Sequence, residues 1–149
     1  MGPAAIRPSE WELPLLVHVG GAMLLVGSLV AVAALAVAAR TPLGDSARLT
    51  RAAFRVLLLG VLPAWIVMRA GAQWVESKED WGDVSWIGIG YSTSEGGLLL
   101  ILAALIVAWR ATRRQDAAST RPATVVMALT AVLLLAYVVT IWAMTTKPG

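Results

Sequence analysis

Four apolar stretches, each about 20 residues or more in length, fill most of this chain, and each is long enough to cross the hydrocarbon core of a bilayer. Of the 149 residues, 58% are hydrophobic and 14% are charged, which is too apolar for an ordinary soluble domain of this size. We therefore predict an all-α fold, a four-transmembrane-helix antiparallel bundle that forms a single membrane domain over residues 1–149. The helices are predicted at about residues 10–39, 49–76, 94–112 and 122–145.

The arginines predict how this bundle is oriented. Eight of them lie in or beside the loops that join the first helix to the second and the third to the fourth: Arg40, Arg48, Arg51, Arg55, Arg110, Arg113, Arg114 and Arg121. The positive-inside rule places these loops in the cytoplasm and both termini outside the plasma membrane. Because topology accounts for the basic residues, we expect no nucleic-acid partner.

The segment between the second and third helices is acidic and aromatic. We expect part of it to lie in the membrane interface, where indole and phenol rings are favoured. The interfacial aromatic residues are Trp74, Trp81, Trp86 and Tyr91. Ser94 then has the side chain of a helix N-cap, and it predicts that the third helix begins there.

Arg69 is the most unusual residue of the second helix, because a charge within a membrane helix costs about 2.5 to 3.5 kcal/mol and requires a partner. Gln73 and Glu76 follow it at helical spacing, so the three side chains share one face. The guanidinium can extend outward to lipid phosphates, pair with Glu76 or Glu95, or contribute to a ligand site. Trp65, four residues before Arg69, can stack beneath it or pack against lipid or protein.

His18 and Arg69 each lie about six residues, or roughly 9 Å, from the outer end of a helix. They can therefore occupy one layer of the bundle. Residues of the third and fourth helices can reach the same layer and complete a polar cup that opens to the outside. The predicted cup consists of His18, Arg69, Gln73, Glu76, Glu95, Tyr137 and Thr140.

His18 is the single histidine of the chain, and there is no cysteine. A hydrogen bond from His18 to another helix is the simplest interpretation. One alternative is an axial haem position, completed by a residue such as Met68, by His18 of a second subunit, or by no second ligand. Another is a copper site with Met23, Met68 or Met144. Nothing in the sequence places a nucleophile beside a base, so we predict no enzymatic activity, no cofactor and no metal site.

Small residues repeat along two of the helices. Gly60, Ala64 and Gly71 lie along the second helix. Those of the first helix fall roughly on one side: Gly20, Gly27, Ala31, Ala34 and Ala38. Such stripes let another helix approach closely, and there are more of them than one bundle needs, so we predict a homo-oligomer.

Four segments together resemble small actinobacterial four-helix integral membrane proteins of unknown function. They are HVGGAMLLVG at residues 18–27, LPAWIVMRAGAQWVESKE at 62–79, WIGIGY at 86–91 and GLLLILAALIVAW at 97–109. More loosely, a histidine followed by glycines in an outward-starting first helix is similar to the copper-resistance D group, in which further histidines accompany the first. The resemblance implies the four-helix membrane fold and leaves the activity open.

We therefore predict a small non-enzymatic membrane protein that self-associates among membrane lipids. It would bind a lipid or other amphiphile, or a partner subunit, in the polar cup. One alternative is an oligomeric channel or small transporter for ions or protons. A second is a redox accessory that holds haem or copper at His18.

Overall fold

A computed structural model describes residues 12–42, 45–78, 85–113 and 120–146, apart from the side chains of Ser85 and Trp86, and its regular structure is entirely helical. Its four helices are α1 (Glu12–Ala38), α2 (Ser46–Glu76), α3 (Ser85–Arg113) and α4 (Arg121–Thr146). Each contains a stretch long and apolar enough to cross a membrane, which confirms the predicted four-helix architecture and makes the chain a multi-pass membrane protein.

Helices α1 and α2 run antiparallel and pack backbone against backbone near one end of the bundle. A Cβ atom placed on Gly21 would lie 2.5 Å from the backbone nitrogen of Met68. A Cβ atom placed on Gly71 would lie 2.5 Å from the backbone nitrogen of His18. Glycine is therefore required at both positions, and its absent side chain sets the distance between the two helices.

Helices α3 and α4 form a second antiparallel pair. Gly90 lies against the terminal methyl group of Met144, and Gly97 lies against the ring and hydroxyl group of Tyr137. Helix α4 also packs on α1, where the Arg40 guanidinium lies 3.1 Å from the sulfur of Met127. These contacts place α1 beside α2 and α4, with α3 beside α4.

Helix α3 begins at Ser85, nine residues before the predicted start at residue 94. Tyr91 therefore lies inside a helix, and Ser94 is a buried mid-helix residue, so its prediction as an N-cap was wrong. Gly88 and Gly90 lie within this added stretch of helix. Gly90 faces Met144, and close packing on α4 outweighs the low helix propensity of glycine. Trp74 is exposed near the end of α2, whereas Trp81 lies outside the described residues, as does the side chain of Trp86.

Helix α2 changes its hydrogen-bonding pattern in the middle. Residues Leu57–Val61 form a π-helical segment, and the N–H of Leu62 donates to the carbonyl of Leu57. Pro63 follows immediately and has no N–H with which to continue an α-helical ladder. The extra residue in this turn is the response of the helix to the proline.

The middle of the bundle is closed by apolar side chains that have no exposed surface. Leu25 and Leu29 of α1, Leu57 of α2, Ile101 of α3 and Leu133 of α4 meet in this core. The outer faces of the helices are also apolar, as in the two-thirds-exposed Leu16 and Leu135. An interior and an exterior that are both hydrophobic are typical of a bundle surrounded by lipid.

The charged residues separate to the two ends of the bundle. One end, here called the basic end, carries the described arginines of the loops between α1 and α2 and between α3 and α4. The opposite end, called the acidic end, carries Glu12, Glu76 and Glu95, together with Arg69 and Lys78. The side of the membrane on which each end lies stays a prediction from the positive-inside rule.

Most of the small-residue stripe of α1 is not covered by the described helices. Gly27, Ala31 and Ala34 are exposed, and the contact with α2 uses Gly21 instead of the neighbouring Gly20. In α2, by contrast, Ala64 and Gly71 are buried, as the predicted stripe requires. One stripe therefore builds the bundle, and the other remains available on its surface.

Candidate functional site

The packing of α2 on α1 decides where Arg69 points. Met68 and Gly71 face α1, and residue 69 is rotated by about 100° from residue 68 around the helix axis. Arg69 is therefore directed away from α1 and toward α3, where its partners lie. We call the space between the acidic-end halves of these two helices the α2/α3 cleft.

Arg69 forms an ion pair across this cleft. Its Nε donates to Oε1 of Glu95 at 3.1 Å, and the two side chains are 21% and 59% exposed. The guanidinium carbon also lies 4.6 Å from the ring centroid of Tyr91, within the range of a cation–π contact. Tyr91 and Glu95 are four residues apart on α3, so one face of that helix supplies both contacts.

Two further hydrogen bonds cross the same cleft. The hydroxyl of Tyr91 donates to the carboxylate of Glu76, and the indole N–H of Trp65 donates to the backbone carbonyl of Ser94 at 3.0 Å. Side chains thus join α2 to α3 here, whereas the backbones of α1 and α2 touch directly. The cleft holds one arginine and two carboxylates, and both carboxylates, Glu76 and Glu95, are on exposed side chains.

The guanidinium of Arg69 is not fully used by these contacts. Its Nη1 atom is buried and has no hydrogen-bond partner within the described ranges. Nη1 lies on the side of the planar guanidinium opposite the Nε–H bond that meets Glu95. One edge of Arg69 therefore faces the carboxylate, while the other faces the protein interior.

His18 belongs to a different interface. Its Nδ1 lies 3.0 Å from the backbone carbonyl oxygen of Met68, across the close contact between α1 and α2. For this to be a hydrogen bond, Nδ1 must carry the proton, which leaves Nε2 as the acceptor in the neutral ring. The ring thus makes the helix-to-helix bond that the sequence suggested as the simplest interpretation.

Tyr137 and Thr140 lie on the α3/α4 interface, on the opposite side of α3 from the cleft. The Thr140 hydroxyl oxygen lies 2.8 Å from that of Thr93, and the Tyr137 hydroxyl lies against Gly97. An open, apolar groove of about 380 Å³ runs along the outside of this interface, beside Gly96 and Ala136. Thr140 already bonds within this helix pair, whereas the buried Tyr137 hydroxyl has no partner in the described part of the chain.

The structure therefore divides the predicted polar cup among three interfaces. Arg69, Glu76 and Glu95 come together in the α2/α3 cleft, whereas His18, Tyr137 and Thr140 lie elsewhere. Gln73 is exposed near the cleft side of α2.

Tyr91 stacks on Arg69, the position suggested for Trp65, and its place in the membrane interface stays a prediction. Its spacing of four residues from Glu95 would have revealed this if the third helix had been predicted to begin earlier.

Comparison of the chain with protein-family models, curated proteins and solved structures finds no match.

Proposed function

We propose that the protein is a non-enzymatic membrane protein that binds an amphiphile, with the polar head of the ligand in the α2/α3 cleft. The observation that carries this proposal is the guanidinium of Arg69. The Nε–H of Arg69 donates to Glu95, and the ring of Tyr91 lies against the face of the guanidinium. Nη1 of Arg69 is buried and has no partner among the described residues. Buried donors in folded proteins are nearly always paired, and a bound head group would supply the missing acceptor.

The surroundings of the cleft suit a molecule with an apolar tail. One helical turn closer to the middle of the bundle, Ile66 of α2 and Leu99 of α3 are more than half exposed. A head group at Arg69 would place its chain at the level of these side chains, where burial of each methylene contributes about 0.8 kcal/mol. With the basic end in the cytoplasm of a plasma-membrane protein, the cleft would open toward the outer leaflet.

Native mass spectrometry of the protein extracted from its own membrane tests this proposal. We expect a bound amphiphile in the wild type, and its loss in Arg69→Leu. Arg113→Leu is the matched control, because Arg113 also lies over an aromatic ring, 4.3 Å from the centroid of Trp109, but at the basic end. A wild-type protein with no adduct, or an adduct that survives in Arg69→Leu, would remove the proposal.

The packing in the middle of the bundle argues against a path for ions through a single copy of the chain. The side chains of Leu25, Leu57, Ile101 and Leu133 fill the middle of the bundle and have no exposed surface. Proton or halide flux into liposomes that exceeds the flux into empty vesicles, and that Arg69→Leu abolishes, would favour a transporter instead.

A second copy of the chain is the partner that the exposed stripe on α1 favours. Gly27, Ala31 and Ala34 present a small-residue surface that none of the four described helices covers. Since the chain has no cysteine, a single Ala31→Cys variant can be oxidised in native membranes and analysed for disulfide-linked dimers. Leu59→Cys, on an exposed face of α2, is the control. Equal crosslinking of both variants would contradict a specific α1 interface.

A further inference from the structure

The first turns of α2, at the basic end of the bundle, carry three arginines on one exposed face. Arg48, Arg51 and Arg55 follow one another at spacings of three and four residues, so their side chains lie in one row along the helix. All three are exposed, whereas Ala53, on another side of the helix, is buried in the core. We call this row the arginine face.

The arginine face has no acidic partner among the described residues. The ion pair that the structure shows there, Arg69 with Glu95, belongs to the other end of the bundle. Asp45 is the one described acidic residue at the basic end, and its carboxylate accepts from the backbone N–H of Arg48 at 3.0 Å, as a helix N-cap. Arg48 itself lies in the first turn, where a positive charge opposes the helix dipole. A negatively charged neighbour would therefore stabilise this face.

Arg55 lies within the bundle and not in a loop. A Cβ atom placed on Gly60 would lie 3.0 Å from the Oγ atom of Ser28, and this contact gives the register of α2 against α1. Because the two helices run antiparallel, Arg55 is level with about residue 33 of α1, roughly 7 Å inside the end of that helix at Ala38. An exposed guanidinium at this depth extends toward the head groups of the membrane and meets their phosphates.

The same face of α2 becomes apolar directly after Arg55. Leu58 and Leu59 follow it by three and four residues, and they are 41% and 73% exposed. A row of positive charges at the edge of the bundle thus continues into an aliphatic surface directed toward its middle. This order matches a phospholipid, whose charged head group lies at the membrane surface and whose acyl chains extend inward. Positive charge that only sets topology does not require such an order, since it acts from anywhere in a loop.

We infer that Arg48, Arg51 and Arg55 bind the phosphate of an anionic phospholipid, whose acyl chains lie along Leu58 and Leu59. Guanidinium groups only donate hydrogen bonds, and they pair with phosphate oxygens through two parallel bonds. A zwitterionic lipid would also bring its cationic nitrogen close to three arginines, so the face selects lipids of net negative charge. With the basic end in the cytoplasm, the lipid belongs to the inner leaflet, whose surface is anionic. This site is at the opposite end of the bundle from the α2/α3 cleft and does not depend on the proposed function.

Native mass spectrometry with added lipids tests the site. The purified full chain in a neutral detergent is titrated with dioleoyl phosphatidylglycerol and with dioleoyl phosphatidylcholine, which have identical acyl chains. We expect phosphatidylglycerol to bind about tenfold more tightly or better, as for hydrogen bonds to a charged group. Equal affinity for the two lipids would overturn the inference. Glycerol phosphate, which has no acyl chains, is added as a competitor. If it displaces phosphatidylglycerol at equal concentration, the ligand is a free anion and the assignment to a lipid is overturned.

Paired variants test whether the face on α2 carries the binding. Arg51→Gln/Arg55→Gln removes two guanidinium groups, and we expect it to weaken phosphatidylglycerol about tenfold or more and to remove the preference over phosphatidylcholine. Arg110→Gln/Arg113→Gln is the matched control, because it removes two exposed arginines from the same end of the bundle but from α3. An equal loss in the control would show a general effect of positive charge and would overturn the assignment to α2.

Two further variants separate lipid binding from folding and from the cleft. Arg51→Lys/Arg55→Lys keeps both charges, so we expect the wild-type unfolding temperature. We also expect weaker binding of phosphatidylglycerol, because an ammonium group cannot form two parallel bonds to a phosphate. Unchanged affinity in this variant would overturn the inference. Arg69→Leu should keep the preference for phosphatidylglycerol even if it loses the amphiphile of the cleft. If Arg69→Leu removes that preference, the anionic lipid binds in the cleft and the site on α2 is wrong.

Discussion

Helix α2 has two neighbours in its acidic-end half, and it meets them in opposite ways. Against α1, Gly21 and Gly71 bring the two backbones so close that no side chain fits between them. Against α3, the contact is made by long polar side chains, with the Arg69 guanidinium between Glu95 and Tyr91. The first interface holds the bundle together, whereas the second leaves a cleft whose donors are only partly used.

The difference follows from how attraction works in a membrane. Helices surrounded by lipid gain little from the hydrophobic effect, so close backbone packing supplies most of the stability. A polar contact between partly exposed side chains contributes less, because water and lipid head groups compete for it. We therefore expect substitutions at the α1/α2 contact to affect stability, and substitutions in the cleft to affect binding more than stability.

The largest effect is expected from Gly21→Ala. Its Cβ atom would lie 2.5 Å from the backbone nitrogen and 2.7 Å from Cα of Met68, so α1 and α2 must separate. We expect a loss of roughly 3 kcal/mol or more in the free energy of unfolding, measured by denaturation in mixed micelles. Gly20→Ala is the matched control, because a Cβ atom there meets nothing within 4 Å. Similar losses in both variants would show that close packing at Gly21 is not what stabilises the pair.

A smaller effect is expected from breaking the ion pair. In a double-mutant cycle of Arg69→Leu and Glu95→Gln, we expect a coupling free energy of about 1 kcal/mol or less, because the Glu95 side chain is 59% exposed. The same cycle read out by amphiphile affinity should show a large effect of Arg69→Leu. If the coupling free energy were as large as the loss of unfolding free energy in Gly21→Ala, the α2/α3 cleft would stabilise the fold as much as the α1/α2 contact does. The proposed difference between the two interfaces would then be wrong.

His18→Leu tests whether hydrogen bonding contributes to the tight interface. The variant removes the bond to the Met68 carbonyl, which lies 3.0 Å from Nδ1, but keeps the backbone contact with Gly71. Helix-to-helix hydrogen bonds in membrane proteins contribute about 0.6 kcal/mol on average, so we expect a loss of that size in the same unfolding assay. A loss comparable to that of Gly21→Ala would mean that His18, and not the glycines, determines this interface.

The smallest effect is expected on the α3/α4 interface. Thr140→Val removes a hydroxyl 2.8 Å from that of Thr93, although Thr140 also bonds the carbonyl of Ala136 in its own helix. We expect a change of about 0.5 kcal/mol in unfolding free energy. Thr130→Val is the reference, because Thr130 is fully buried and, among the described residues, bonds only carbonyls of its own helix. If the unfolding free energies of Thr140→Val and Thr130→Val differed by more than about 1 kcal/mol, the hydrogen bond between Thr140 and Thr93 would contribute more to the α3/α4 interface than we expect.

Some of the candidate site could be predicted from the sequence because it depends on local spacing. The sequence predicts Glu95 as one possible partner of Arg69, since a charge in a membrane helix requires an opposite charge nearby, and the two residues do form an ion pair. The predicted start of α3 at Ser94 is too late. Ser94 has the side chain of an N-cap, and Gly88 and Gly90 before it have low helix propensity when considered alone. Because the helix begins earlier than predicted, Tyr91 lies on it, one turn before Glu95, and contacts the guanidinium. For the same reason Ser94 is a buried mid-helix residue and not a helix cap.

The sequence by itself determined that this chain forms four membrane-spanning helices with its basic loops at one end, because length, hydropathy and charge act residue by residue. Only the tertiary structure decided which polar residues meet. A rotation of one residue, or about 100°, directs Met68 to α1 and Arg69 to α3, and no periodic pattern identifies the neighbour on each side. The residues of the predicted single cup therefore lie at three different interfaces. Nη1 of Arg69, Oγ of Ser94 and the hydroxyl of Tyr137 are left without a hydrogen-bond partner among the described residues.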